Sequence, residues 1–277
     1  VKYECVQNIT REETSIHTYS PMPYLIESTS LDRIFVYQHG IQWHRNERQT
    51  FDWAIPAFVP LTYIVWGEPW ISNFERYAHP EAWILPLGSP WYDYLAEQDI
   101  EIEADRSWDV LFVSSSPSSD VIPEEHELYH ELFETVWKTC ADNDLSLAVK
   151  LHPNESPDWY LERGWEEYIV NFDGIEEALS SASVAVTDNS SAFVESSVLG
   201  TPMIVADING HGLESLGPVA NTVFTEEITE IHDAILDLHT GRKNISTDGA
   251  EKQLVRIGDS TKRIADAVTL GAIEDKR

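Results

Sequence analysis

The chain has 277 residues, of which 42% are hydrophobic, and its 48 Asp and Glu against 18 Lys and Arg give a formal net charge of -30. Carboxylates spread along the whole chain repel nucleic acid and anionic membranes, which excludes nucleic-acid binding and leaves at most peripheral membrane contact. This charge pattern is typical of a halophilic protein, because a salty cytoplasm screens the repulsion.

Cysteine usage and hydropathy indicate a cytoplasmic protein. The two cysteines, Cys5 and Cys140, lie far apart and form no Cys-x-x-Cys motif, which excludes a disulfide framework. No apolar run approaches 18 residues, so we predict no membrane span. The first residues show no apolar signal-peptide core.

Residues 1–104 are rich in Trp, Tyr and Pro and predict a short or truncated α/β domain. Its predicted elements are strands except for one helix at 69–78, and they cover residues 33–40, 62–67, 69–78 and 82–88. The charged stretch that follows is interpreted as a linker to a second domain, residues 105–277.

In the second domain, strands and helices alternate at short spacing. Strands are predicted over 108–116, 145–151, 168–172, 184–187, 202–208 and 222–225. Helices are predicted over 124–140, 156–165, 174–182, 190–200, 226–241 and 247–273. Continuous apolar strands separated by helices are typical of a parallel sheet covered on both faces, so we predict a doubly wound α/β domain.

Polar residues follow the strands of this domain where each strand ends. Ser114 follows the apolar run 108–113, His152 the strand at 145–151, Asp188 the strand at 184–187, and Asp207 the apolar run 202–206. Ligands of open α/β sheets bind beyond the carboxyl ends of the strands. The sequence therefore predicts a cleft that hydrogen-bonds an oxygen-rich ligand.

Two of these strand ends have the chemistry to bind an anion. An imidazole at His152 can donate to a phosphate oxygen, and Pro153 ends the strand. Ser190 and Ser191 begin a helix whose amide groups and hydroxyls suit an anion. Glu195, rather more than one turn later, can accept hydrogen bonds from two adjacent ribose hydroxyls. On local chemistry alone, a turn-capping histidine and an ordinary helix N-cap remain alternatives.

The combination of these residues resembles the C-terminal nucleotide-binding domain of GT-B glycosyltransferases. It consists of His152-Pro153, Thr187-Asp188-Asn189-Ser190-Ser191, Glu195 and Gly200-Thr201-Pro202. The likeness is strongest to the CDP-glycerol glycerophosphotransferase group and related surface-polysaccharide transferases. It covers about residues 33–225 and implies a GT-B-like architecture of two Rossmann-like halves.

The resemblance implies a metal-independent transferase. Such an enzyme moves a glycosyl or glycerophosphate group from a nucleotide-diphosphate donor, a nucleotide-activated sugar or CDP-glycerol, to a surface-polysaccharide, glycan or lipid-linked acceptor. The donor is a substrate, and no cofactor is implied. The implied catalytic residues are His39, as general base for the acceptor hydroxyl, and His152. The implied donor-binding residues are Ser114, Asp188, Ser190, Ser191 and Glu195.

The sequence departs from the family pattern at Trp91, and two other functions remain possible. In the segment "GSPWYD", Trp91 stands where the family usually has Arg. A non-hydrolysing UDP-sugar 2-epimerase shares the architecture and would use paired acids to remove a proton. A GT-B module that binds a nucleotide or glycan without chemistry is the third reading, and the short first domain favours it.

Overall fold

The structure is a computed structural model, and it describes residues 35–38, 60–76, 78–98, 106–115, 123–153, 155–188, 190–208, 219–243, 245 and 254–270. Across those ranges, no helix combines the length and the apolar character that a membrane crossing requires.

A parallel sheet of three strands forms in the first part of the chain. Its strands lie in sequence order as β1 (Phe35–Tyr37), β2 (Thr62–Val65) and β3 (Trp83–Pro86). Helix α1 (Pro69–Glu75) connects β2 to β3, and α2 (Pro90–Glu97) follows β3. Both helices begin with proline, whose fixed φ suits the first helical position. The predicted α/β alternation is confirmed, with shorter elements.

A second parallel sheet of five strands has the order β5-β4-β6-β7-β8. Its strands are β4 (Trp108–Val113), β5 (Leu147–Lys150), β6 (Ala182–Thr187), β7 (Met203–Ala206) and β8 (Thr222–Thr225). All four pairings between neighbours are parallel. The chain runs from β4 to β5 on one side and then returns to the other side of β4 for β6. A switch of direction at β4 and β6 is where ligands bind in such sheets.

Helices accompany both faces of the second sheet. They are α3 (Pro123–Asp142), α4 (Asp158–Leu161), α5 (Ile175–Ser180), α6 (Ala192–Leu199) and α7 (Ile231–His239). Helix α6 ends at Gly200, whose φ of 73° is the left-handed conformation that glycine adopts without steric cost. The doubly wound α/β fold predicted for this part is confirmed.

Side chains of β4 alternate between two apolar clusters, as a strand buried on both faces requires. Val110 and Phe112 belong to the cluster that contains Phe133 of α3. Leu111 and Val113 belong to the other cluster, which also holds Phe193 of α6 and residues of α1 and α2. Helix α6 therefore connects the second sheet to the first part of the chain.

The predicted strand at 168–172 is wrong. Residues Glu166–Tyr168 form a 3-10 turn, and Ile169 makes a single isolated bridge to Val149 of the edge strand β5. The turn at Asp173 and Gly174 then starts α5. That one bridge is the whole of the pairing between this segment and the sheet.

The last described helix, α8 (Ser260–Leu270), and the residues just before it pack on the first part of the chain. The backbone N–H of Arg256 donates to the Trp66 carbonyl at 2.8 Å. The Trp70 indole donates to the Leu254 carbonyl at 2.8 Å. The domain limits 1–104 and 105–277 stay predictions, since residues 99–105 lie outside the described ranges.

Candidate ligand site at the strand ends

The ends of β4, β5 and β6 are joined by side-chain hydrogen bonds. The hydroxyl of Ser115, after β4, donates to Oδ2 of Asp188 after β6 at 2.8 Å. The hydroxyl of Ser114 donates to the carboxylate of Glu155, three residues past His152. The structure thus brings together Ser114, His152 and Asp188 at one edge of the sheet, as the parallel topology requires.

Ser114 lies inside a buried chain of hydroxyl groups. Its side chain is only 2% exposed, and its oxygen accepts a hydrogen bond from the Tyr129 hydroxyl at 2.7 Å. The Tyr129 and Tyr160 hydroxyls lie 3.0 Å apart. Burial raises the pKa of both phenols, so both keep their protons and can donate. A donor-binding role for Ser114 stays a prediction.

Glu155 is a residue of this edge to which the sequence assigned no role. Burial raises the pKa of its carboxyl group, and hydrogen bonds from Ser114, the His152 backbone and Tyr129 oppose that shift. The only signal in the sequence was its spacing of three residues from His152, which places the two at opposite ends of one turn.

Ser190 and Ser191 lie half-buried at the start of α6, as predicted. The Ser190 hydroxyl accepts a hydrogen bond from the Ala192 backbone N–H at 3.2 Å. Ser191 is the N-cap residue, and its side chain makes no capping hydrogen bond. The first amides of a helix carry a partial positive charge, which favours an anion at this end.

Glu195 projects from the first turn of α6 into a nearly closed environment. Its side chain is 9% exposed. One oxygen, Oε1, accepts a long hydrogen bond of 3.4 Å from the Trp91 indole N–H. The other, Oε2, has no hydrogen-bond partner among the described residues. Burial raises the pKa of Glu195 to about 7, although its own backbone N–H and Trp91 lower it.

Trp91 reaches this carboxyl group from α2, in the first part of the chain. It is 41% exposed and stacks on Tyr94 with a ring-centre distance of 5.6 Å. The sequence marked Trp91 only as a departure from the family's usual Arg. Its indole N–H supplies a neutral donor to Glu195.

A cavity of about 270 Å³ lies farther along the same edge, at the ends of β7 and β8. Its lining includes four acidic residues, Asp207, Glu226, Glu227 and Glu230. Carboxylates repel a diphosphate, so this cavity does not suit the predicted anion.

His39 lies outside the described residues, and its predicted role as general base stays a prediction. In the ranges that the structure describes, no three His, Cys, Asp or Glu side chains form a group able to hold a metal ion.

Comparison with solved structures identifies the fold. A UDP-GlcNAc 2-epimerase of Methanocaldococcus jannaschii, solved with UDP-GlcNAc and UDP, matches with a TM-score of 0.52 and 17% sequence identity. The match covers 72% of this chain and 58% of the epimerase. The chain has a GT-B fold.

Two further solved structures match this chain with lower TM-scores. MurG of Acinetobacter baumannii matches at a TM-score of 0.49 and 14% identity, over 91% of this chain and 77% of that one. The wall teichoic acid polymerase TagF matches at 0.44 and 13%, over 75% and 57%. Both scores lie below 0.5, so the assignment of the GT-B fold rests on the epimerase. No protein-family model matches the sequence, and no curated protein matches it.

Proposed function

We propose that the chain binds a nucleotide-diphosphate donor at the ends of β4, β5 and β6 and transfers its glycosyl or glycerophosphate group to a glycan or surface-polysaccharide acceptor. The observation that carries the proposal is Glu195, a nearly buried carboxyl group with one long hydrogen bond at Oε1 and none at Oε2 within the described residues. Native structures rarely leave a buried carboxyl oxygen unpaired, so such a group is a candidate for ligand binding.

Two adjacent ribose hydroxyls would satisfy this carboxyl group. Each would donate to one oxygen, which compensates the loss of hydration that burial imposes. Each carboxylate oxygen has two acceptor sites, so Oε1 can accept from a ribose hydroxyl and from the Trp91 indole N–H together.

The diphosphate would meet the start of α6 and the imidazole of His152. The Ser191 hydroxyl makes no capping hydrogen bond and can donate to a phosphate oxygen. The helix amides and a protonated His152 supply local positive potential against a chain of net charge -30. These local groups determine whether the diphosphate binds, because salt screens more distant charges beyond a Debye length of about 8 Å at physiological salt.

The proposed reaction is a displacement. The acceptor hydroxyl attacks the anomeric carbon of a sugar donor, and the bond to the nucleoside diphosphate breaks. With CDP-glycerol the hydroxyl attacks the glycerol-bearing phosphorus, and CMP leaves. In either case His39 takes the proton of the attacking hydroxyl. His152, Ser190 and Ser191 stabilise the negative charge of the leaving group with preorganised donors.

A second candidate is an epimerase. Its support is that burial raises the pKa of two carboxyl groups near this edge, Glu155 and Glu195, and that of Glu195 reaches about 7, so that Glu195 can hold a proton near neutral pH. An epimerase inverts a carbon of the sugar and returns the nucleotide sugar.

The test incubates the full chain with CDP-glycerol and with UDP-, GDP- and CDP-linked sugars in molar KCl. Binding is measured by calorimetry and product by chromatography. We expect one donor to bind, and Glu195→Gln and His152→Ala to weaken it about tenfold each, as for hydrogen bonds with a charged partner. The matched control is His232→Ala, an exposed histidine on α7 that contacts Thr139 of α3, and it should leave binding unchanged.

The outcomes separate the candidates. Release of the nucleotide with an acceptor present supports the transferase, and conversion of the sugar without release supports the epimerase. Binding without either reaction supports a binding module. Equal binding by the wild type and by Glu195→Gln would contradict the proposed site.

A further inference from the structure

The backbone of His152 is fixed from both sides of its turn by Glu155. The Glu155 backbone N–H donates to the His152 carbonyl at 2.9 Å. In the other direction, the His152 backbone N–H lies 3.4 Å from Oε2 of Glu155. This reciprocal pairing resists rotation of the peptide groups that carry the imidazole.

The carboxyl group of Glu155 is itself anchored in three other elements. Ser114 after β4 donates to Oε2, and Tyr129 of α3 lies 3.3 Å from Oε1. Tyr160 of α4 extends the series through its 3.0 Å contact with Tyr129. The available protons suit one direction: Tyr160 donates to Tyr129, Tyr129 donates to Ser114 with a longer branch to Oε1 of Glu155, and Ser114 donates to Oε2.

This polar network contributes less to stability than apolar side chains of the same volume would. Tyr129 and Tyr160 are 3% and 0% exposed and Glu155 is half-buried, and polar groups removed from water in this way usually destabilise relative to apolar packing. The network instead gives its polar groups a defined geometry, because each hydrogen bond fixes the orientation of the next group. The end of the network that faces the ligand edge is the His152 turn.

We propose that Glu155 is a positioning residue: through its carboxyl group, held by Ser114, Tyr129 and Tyr160, it fixes the His152 turn so that the imidazole meets the phosphates of the ligand. The inference rests on the proposed function, in which His152 binds the diphosphate. Ser114 then contributes by orienting Glu155 rather than by touching the donor.

The experiment is a double-mutant cycle read with two ligands. Dissociation constants are measured for the wild type, Glu155→Gln, His152→Ala and the double variant, with UDP, CDP, GDP and ADP as probes and with the corresponding nucleosides. Glu155→Gln should weaken the best-binding diphosphate about three- to tenfold, the range for one or two intramolecular hydrogen bonds. It should change nucleoside affinity less than twofold, since the nucleoside has no phosphate.

The cycle separates positioning from stability. If Glu155 acts through His152, the double variant binds the diphosphate as weakly as His152→Ala alone. The inference would be overturned if the loss of diphosphate affinity in the double variant equalled the product of the two single losses. It would also be overturned if Glu155→Gln weakened nucleoside and diphosphate binding equally. Neither result would contradict the proposed ligand site. A wild type that binds no diphosphate, or a His152→Ala variant that binds it normally, would instead remove the proposed function itself.

A second, milder variant tests the same inference in case Glu155→Gln does not fold. Tyr129→Phe keeps the ring in the core and removes only the hydroxyl that donates to Ser114. It should weaken diphosphate binding in the same direction as Glu155→Gln, by about twofold, and again spare the nucleoside. Unchanged diphosphate binding in a folded Tyr129→Phe and a folded Glu155→Gln contradicts the inference.

Discussion

At the scale of single residues, Glu195 makes the stability of the folded chain depend on pH. Its pKa rises from 4.5 to about 7, chiefly because burial disfavours the charged form. Between those pH values the folded state binds more protons than the unfolded state, so stability falls as pH rises through this window. A shift of this size corresponds to about 3 kcal/mol.

The variant Glu195→Gln lacks this titration. Its free energy of unfolding, relative to the wild type, should rise by about 3 kcal/mol between pH 4.5 and pH 8. Urea unfolding at constant salt measures the difference. Glu127→Gln, which removes an exposed carboxylate of α3, should follow the wild-type curve at every pH. Parallel curves for Glu195→Gln and the wild type would show that Glu195 is not buried as described.

At this scale the sequence indicated several residues of the candidate site but not the residues to which they are hydrogen-bonded. His152 and Asp188 lie just after strands and the two serines lie at the start of α6, because apolar runs that alternate with helices indicate where parallel strands end. The bonds of Glu155 to Tyr129 and of Glu195 to Trp91 join residues 26 and 104 positions apart. One sequence has no local pattern that specifies such distant pairs.

At the scale of elements, Asp93 of α2 caps a helix that lies far away in the chain. Its Oδ1 accepts from the Gly258 backbone N–H at 2.6 Å, and its Oδ2 accepts from the Ser260 backbone N–H at 2.6 Å. A negative charge and two acceptors at the start of α8 satisfy amides that have no partner within the helix. The sequence "GSPWYD" therefore connects two elements as well as presenting Trp91.

Replacement of Asp93 by Ala should lower the free energy of unfolding by about 2–4 kcal/mol, because two backbone donors lose a charged acceptor. Asp93→Asn keeps one acceptor oxygen and should lose about half as much. Chemical denaturation of both variants is the measurement. Glu97→Ala, an exposed carboxylate at the end of the same helix, is the control and should change stability by less than about 0.5 kcal/mol. An Asp93→Ala protein as stable as this control would show that the cap contributes nothing.

At the scale of the whole molecule, most of the second sheet could be predicted and the packing between the two parts could not. Apolar runs of four to six residues followed by helices specify a parallel sheet, and β4 to β8 lie where the pattern placed strands. The segment at 168–172 has the same composition, yet it makes only the isolated bridge of Ile169 to Val149. The return of residues 254–270 to α1 and α2 depends on hydrogen bonds such as Trp70 to Leu254, which no periodicity predicts.

The net charge of -30 predicts that the folded state needs salt. Like charges are closer together in the folded chain than in the unfolded chain, so their repulsion destabilises the fold until ions screen it. The Debye length falls from about 10 Å at 0.1 M to about 3 Å at 1 M, shorter than most distances between surface carboxylates. The melting temperature should therefore rise by several degrees between 0.1 M and 2 M KCl, with most of the gain below 1 M.

A variant with fewer charges tests that this gain is electrostatic. Five exposed glutamates are suitable for replacement by Gln, namely Glu75, Glu131, Glu162, Glu166 and Glu167. Removal of five negative charges should raise the melting temperature at 0.1 M KCl and reduce its increase with salt. Sucrose, which carries no charge and is excluded from protein surfaces, should stabilise both proteins alike. An equal response of both proteins to KCl would mean that salt acts through burial, and the interpretation of the charge as a halophilic adaptation would then be wrong.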